Sequence, residues 1–348
     1  MIALLTGTLG ATPNAGAEVS KPTLTLYVYD SFVAKGGLGS EIFPQFEKKC
    51  GCELKILPSG DGGQLLTRLQ LDAERGKPSA QVAVGLDEPT FDRARPWLEG
   101  ATDWIPRGMR DLHPDLKRTP GFYPFDYGFF AFMADHQALS EAKLSMPKKL
   151  TDLLAPQWKR QVILEDPRTS TPGLAFVLYA NQVSGMSGKE FWPKMRTQWL
   201  TLAAGWDSAY GLFLRKEAPL VWSYTTSQAY HEAHGDPAGS RRYEAVLFEE
   251  GQPIQIEGAA LVKNSFAPGE QGKKQKELAR QFLEFLISPE VQALVPTHQW
   301  MYPARKSTPL PPGFTHVPRP KKTVHLKVKA DEVSSALSEW SRAIEGAL

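Results

Sequence analysis

The chain has 348 residues, 42% of them hydrophobic and 22% charged, with a formal net charge of +2. That length supports two lobes with cores of their own, and the composition is that of a soluble globular protein. Near-neutral charge without a Lys/Arg block argues against nucleic-acid binding, and no apolar run approaches the roughly 18 residues of a membrane span.

Ile2 to Leu9 is apolar, and Ala15-Gly16-Ala17 fits the small-x-small pattern of a secretory cleavage site. Residues 1–20 therefore read as a signal-peptide remnant and flexible start. Leu24 to Tyr29 reads as a strand, followed by a loop at Gly36-Gly37-Leu38-Gly39 and a helix over Ser40 to Lys49. Cys50 and Cys52 flank Gly51. A bond between them would close a very tight loop, and spacing alone leaves open a disulfide or two thiols.

Glu53 to Leu57 predicts a second strand. It runs into Pro58-Ser59-Gly60-Asp61-Gly62-Gly63 and a helix from Gln64. Glycines there let a ligand approach the backbone. Gln81 to Gly85 predicts a third strand. Strand, polar loop and helix in repetition argue for a parallel α/β sheet. Gly121 to Met133 is rich in Phe and Tyr and reads as a strand crossing between lobes; Ile254 to Val262 reads as a second crossing.

Between them, Val162-Ile163-Leu164 leads through Asp166-Pro167-Arg168-Thr169-Ser170-Thr171-Pro172-Gly173 into an apolar run. Ser170 or Thr171 suits an N-cap, and Pro172 the first turn. A helix start of this kind offers free N–H groups to a polar or anionic ligand group. Two further strand ends open the same way, Trp206-Asp207-Ser208 and Ser223-Tyr224-Thr225-Thr226-Ser227. Glu277 to Leu286 and a last helix carrying Val333, Leu337, Trp340 and Ile344 are amphipathic, with a Pro-rich connection over Thr308 to Lys322.

No hydrolase elbow, P-loop or zinc spacing is present, and His231 with His234 reads as an exposed surface pair. What recurs is a polar loop at a strand end beside a Tyr or Trp, where open α/β sheets bind ligands. Aromatic faces suit flat or cationic ligands, Asp61 can oppose a positive charge or accept from an amino group, and hydroxyls at helix starts suit a phosphate.

The sequence resembles the periplasmic thiamine-binding proteins of ABC importers. The resemblance rests on Leu26 to Phe32, Cys50 to Lys55, Phe125 to Phe132, Asp166 to Gly173, Ala209 to Leu214, Ser223 to Ser227 and Trp300-Met301-Tyr302-Pro303. It implies an α/β, two-lobed periplasmic-binding-protein fold of type II, with the ligand cleft between lobes joined by crossing strands. Lobe one would hold 21–124 plus about 260–310, and lobe two 125–259 plus about 311–348.

The resemblance places ligand contacts at Asp61, Gly62, Ser170, Thr171, Trp206, and Tyr224, Thr225, Thr226 and Ser227, with Tyr29, Tyr230 and Trp300 as further walls. It implies a monomeric periplasmic carrier of thiamine, thiamine phosphate and thiamine diphosphate, with no cofactor and no catalysis. The carrier would deliver its ligand to an ABC transporter permease and its ATPase partner. Where some relatives place a Trp after the first strand, this chain has Lys35-Gly36-Gly37, implying a more open wall. Two rival readings are a thiamine-degrading enzyme of related fold, with a cysteine nucleophile, and a ferric-ion-binding protein, which would need adjacent tyrosines.

Overall fold

The computed structural model describes residues 21–100, 104–113, 116, 119–235, 242–326 and 329–345. The expected signal remnant lies outside them. Lobe one begins with β1 (Thr23–Val28), β2 (Glu53–Pro58) and β3 (Val82–Asp87), all parallel. β4 (Tyr123–Asp135) then runs between the lobes. Lobe two is built on β5 (Val162–Glu165), β6 (Trp199–Ala203) and β7 (Leu220–Tyr224), with β8 (Tyr243–Val246) pairing the far end of β4. β9 (Gln252–Leu261) returns antiparallel to β4, and β10 (Tyr302–Pro303) and β11 (Thr323–His325) flank the crossing. The sheet order is β2-β1-β3-β9-β4-β7-β5-β6.

Packing fixes where one lobe ends. The first half of β4 pairs with β9, and Phe125, Tyr127 and Phe129 enter the core around Leu26, Leu65 and Phe282. The second half pairs with β7, and Phe130 and Phe132 enter the core around Trp222, Phe176 and Trp192. The change of core falls between Phe129 and Phe130, inside one strand. Ile254, Ile256, Phe314 and Val317 also join the first core, whereas Val324, Val333 and Trp340 join the second. Burying such rings contributes about 1.5–3 kcal/mol each, so the rings outweigh composition in setting the boundary.

The helix after β5 starts where the sequence predicts, whereas those expected from Ser40, Gln64 and Glu277 begin earlier, at Leu38, Gly62 and Gly269. Ser170 caps Thr171–Val183, with its Oγ 3.5 Å from the Gly173 N–H and Pro172 in the first turn. Cys50 and Cys52 are joined by a disulfide. One expectation fails: His231 is buried, stacked 3.6 Å from the Tyr243 ring and 2.9 Å from the Tyr210 hydroxyl. The Ser227–Ala233 helix turns that residue inward, toward Tyr243 of β8. No helix among the described residues is long and apolar enough to cross a membrane.

Candidate functional site

A cavity of about 580 Å³ lies between the lobes. Strand ends build it. β1 delivers Tyr29, whose ring fills the space left at Gly85, where β3 bulges. A Cβ at Gly85 would stand 1.9 Å from Tyr29 Cδ1, and its φ is +98°. Only glycine fits both conditions.

β2 delivers Asp61, which caps the Gly62–Glu74 helix. Its Oδ1 accepts from Gly62 N–H at 2.6 Å, and its own N–H donates to Gln64 Oε1 at 3.0 Å. Lobe two meets the same carboxylate. Thr171 N–H points at Oδ1 from 3.5 Å and Trp206 N–H at Oδ2 from 3.4 Å. Thr171 and Trp206 are the first residues of their helices. Three helix starts thus converge on one carboxylate, and the Ser170 hydroxyl also reaches it. Burial still pushes the Asp61 carboxyl above its ordinary value, against the pull of these donors. The junction is close: a Cβ on Gly62 would lie 2.0 Å from Thr171 Oγ1, and Gly63 N–H donates to Thr169 O at 3.1 Å.

Lobe two supplies most of the rings. Trp206 stacks on Tyr210 at 4.9 Å and 22°, and its indole N–H donates to Ser223 Oγ at 2.8 Å. Ser223 Oγ in turn lies 2.9 Å from Ser227 Oγ. Tyr224 stacks over Phe130 at 4.8 Å. Tyr230 lies over His234 at 4.2 Å and meets the edge of Trp300 at 5.3 Å. Trp300 holds φ at +56°, a conformation that costs a non-glycine residue about 1–3 kcal/mol and that aims its indole at the cleft.

Of the residues expected at a site, Tyr29, Asp61 and Trp300 line the cavity from lobe one. Thr171, Trp206, Tyr224, Ser227 and Tyr230 line it from lobe two. Gly62, Ser170, Thr225 and Thr226 are buried beside it and are not among its lining residues. Gly62 is taken up by the contact with Thr171, and Ser170 by its helix cap. Thr225 continues the β4 pairing, donating its N–H to Phe129 O at 2.9 Å, so strand alternation turns its side chain from the face shown by Tyr224.

Sequence reasoning missed Glu257, the acid of the second crossing strand. Glu257 on β9 lines the cavity, only 6% exposed, in a buried strand whose other polar side chains are Gln252 and Gln255. Burial raises its carboxyl to about 8, and raises Asp87 to about 6. Asp126 and Glu165 are pushed well above the usual carboxylate range, first by burial. The available signal was a lone acid in a strand without a basic partner nearby in the chain. Among the described residues no group of three or more His, Cys, Asp or Glu could hold a metal ion.

Two α/β lobes joined by crossing strands around a ring-lined cleft define a binding protein of the type II periplasmic fold. Residues 101–323 match the family model "Bacterial extracellular solute-binding protein". The thiamine-binding periplasmic protein of Escherichia coli strain K12 is 39% identical over 93% of this chain and 94% of its own. That of Salmonella typhimurium is 38% identical over 95% and 96%. A solved periplasmic thiamin binding protein superposes with a TM-score of 0.79 at 36% identity, covering 96% of this chain and 99% of its own. The AfuA protein of Actinobacillus pleuropneumoniae shares the fold alone, at a TM-score of 0.77 and 16% identity over 94% of this chain and 99% of its own. The chain belongs to the bacterial extracellular solute-binding proteins, in the family of these thiamine-binding periplasmic proteins.

Proposed function

We propose that the protein is the periplasmic solute-binding component of an ABC importer, capturing thiamine, thiamine phosphate and thiamine diphosphate for a membrane permease. One observation carries the reading. Among the described residues, the cavity is lined by six Tyr or Trp rings and four Asp or Glu side chains, with one lysine and no arginine. Such a wall suits a flat cation, with roughly 0.5–2 kcal/mol from each ring placed over the charge. A ligand built mainly around an anion would call for arginine.

The phosphate esters share the cationic ring. Their tails would meet the helix starts at Thr171 and Trp206, where Asp61 already stands. Thiamine should therefore bind at least as tightly as its diphosphate. The carrier works as a monomer, without cofactor and without turnover. A cysteine nucleophile has no support, since Cys50 and Cys52 are bonded to each other. Ferric-ion-binding proteins share only the fold.

Calorimetry on ligand-stripped protein with thiamine and its two phosphates tests this. One saturable site for thiamine is expected. No heat and no thermal stabilisation by thiamine would remove the reading. Quantitative recovery of thiamine after incubation with a nucleophilic amine is expected, and sustained consumption would establish an enzyme instead.

A further inference from the structure

We propose that Glu257, at the back wall of the cleft, is the side chain that balances the positive ring of the ligand and so sets the preference for a cation. The proposal rests on the thiamine reading above and says which group recognises the charge. Two carboxylates near the cavity differ in their surroundings. Asp61 faces three backbone N–H groups, which spread its charge over helix starts. Glu257 has an oxygen, Oε1, that is buried without any hydrogen-bond partner. An unpartnered buried oxygen costs about 1–3 kcal/mol, and a ligand group that meets it recovers that cost.

Register explains how Glu257 is held there. It pairs with Asp87 of β3 on one side and Asp126 of β4 on the other. Registered neighbours share a sheet face, so three acids stand in a row across the crossing strands. Asp126 has no partner on either oxygen. Tyr29 hydrogen-bonds Glu257 from the end of β1, and Asp61 and Tyr224 face it across the cleft. Arg93 sits near Asp87. The basic side chains lining the cavity are Lys35 and His298 of the loops around Gly36, where His298 Nδ1 lies 3.1 Å from Gly36 O. Every other titratable group named here is an acid or a phenol, and the charges acting on Glu257 itself are those of Asp87 and Asp61.

Protonation follows from this geometry. With its carboxyl raised to about 8, Glu257 is mostly neutral at pH 7. A cation docking against the Glu257 carboxylate favours the charged form, so the proton leaves to the buffer as the ligand binds. The sign is fixed: affinity for the cation rises as pH rises from 6 toward 9, and proton release disappears once Glu257 is already ionised.

The experiment uses the full-length protein and two probes, thiamine and the neutral 4-amino-5-hydroxymethyl-2-methylpyrimidine. Calorimetry in phosphate and in Tris counts protons from the difference in heat. The wild-type protein should release most of a proton per thiamine at pH 7 and close to none at pH 9.5. Glu257→Gln should weaken thiamine about tenfold or more, leave the pyrimidine within about threefold, and abolish the release. Release unchanged in the variant, or equal losses for both probes in a folded variant, would overturn the proposal while leaving the thiamine reading intact. A wild-type protein that binds thiamine without releasing a proton at pH 7 would overturn it as well, whether or not the variant folds. A wild-type protein that does not bind thiamine at all would overturn both readings.

Discussion

The loop at Asp61 and the back wall at Glu257 both bring a carboxylate to one cavity, but on different supports. Asp61 sits on a turn where three helices begin, and backbone donors from both lobes meet it. Glu257 sits mid-strand, between two other acids, with an oxygen that nothing meets. The first carboxylate is satisfied by the protein and joins the lobes; the second is left for something else. Burial raises both groups, so proton affinity does not separate them. Hydrogen-bond satisfaction does.

The largest break should come from Gly62→Val. Its side chain would press on Thr171 Oγ1 and hold the lobes apart. Ligand binding should fall by about a hundredfold or more, with each lobe still folded because the clash lies between them. Small-angle scattering with calorimetry checks this; unchanged affinity would mean the Asp61 loop is no junction. Asp61→Asn should come next, at about 1.5–3 kcal/mol, since the N–H donors lose a charged acceptor. Because this carboxylate holds the lobes, charged and neutral ligands should suffer alike. A loss confined to thiamine would transfer the cation role from Glu257 to Asp61.

Trp206→Ala and Tyr224→Ala should each cost about 1–3 kcal/mol of thiamine binding with little loss of fold, since both line the cavity and are only half-buried. A folded variant that binds like the parent would remove that ring from the site. The pH dependence of the ligand-free protein follows from the raised acids. A carboxyl whose folded-state value is raised binds a proton longer when folded than when unfolded. Its contribution is full below the unfolded value and is lost as pH rises through the folded one. Melting temperature should therefore fall between about pH 4 and 8, through Asp87 up to about 6 and through Glu257 up to about 8, and Glu257→Gln should flatten the upper part. A profile rising over that window would contradict it.

The smallest effect should be Ser170→Ala, about 1 kcal/mol of stability from the lost cap. Its influence on thiamine, the monophosphate and the diphosphate should be uniform, because Ser170 is buried beneath the cavity wall. A selective loss for the phosphates would restore an anion site at that helix start.

These contrasts mark what the sequence could tell. Apolar runs ended by glycine or hydroxyl residues identified the strands and helix starts, because that chemistry is local. Tyr29, Trp206, Tyr224 and Trp300 were legible as walls through the family resemblance and their place at strand ends. Glu257 was not, since its meaning depends on Asp87 and Asp126, which only sheet register brings alongside. Nor could the sequence show that the helix start at Thr171 already faces a carboxylate from the other lobe. The change of core inside β4 was hidden for a similar reason. Phe129 and Phe130 are chemically alike and adjacent, and only packing sends them to different cores.

That switch inside β4 also bears on how the chain reaches its native state. The second core draws chiefly on a near-continuous stretch, from Phe130 to Phe248, within which β4 pairs with β7 and β8. The first core is split, and β3 cannot complete its sheet until β9 arrives far later in the sequence. Contacts that distant are slow to form, because a long loop must close before they reward it. The inserted lobe should condense first and the enclosing lobe afterwards, around β9. An incomplete first lobe leaves the emerging chain pliable for longer.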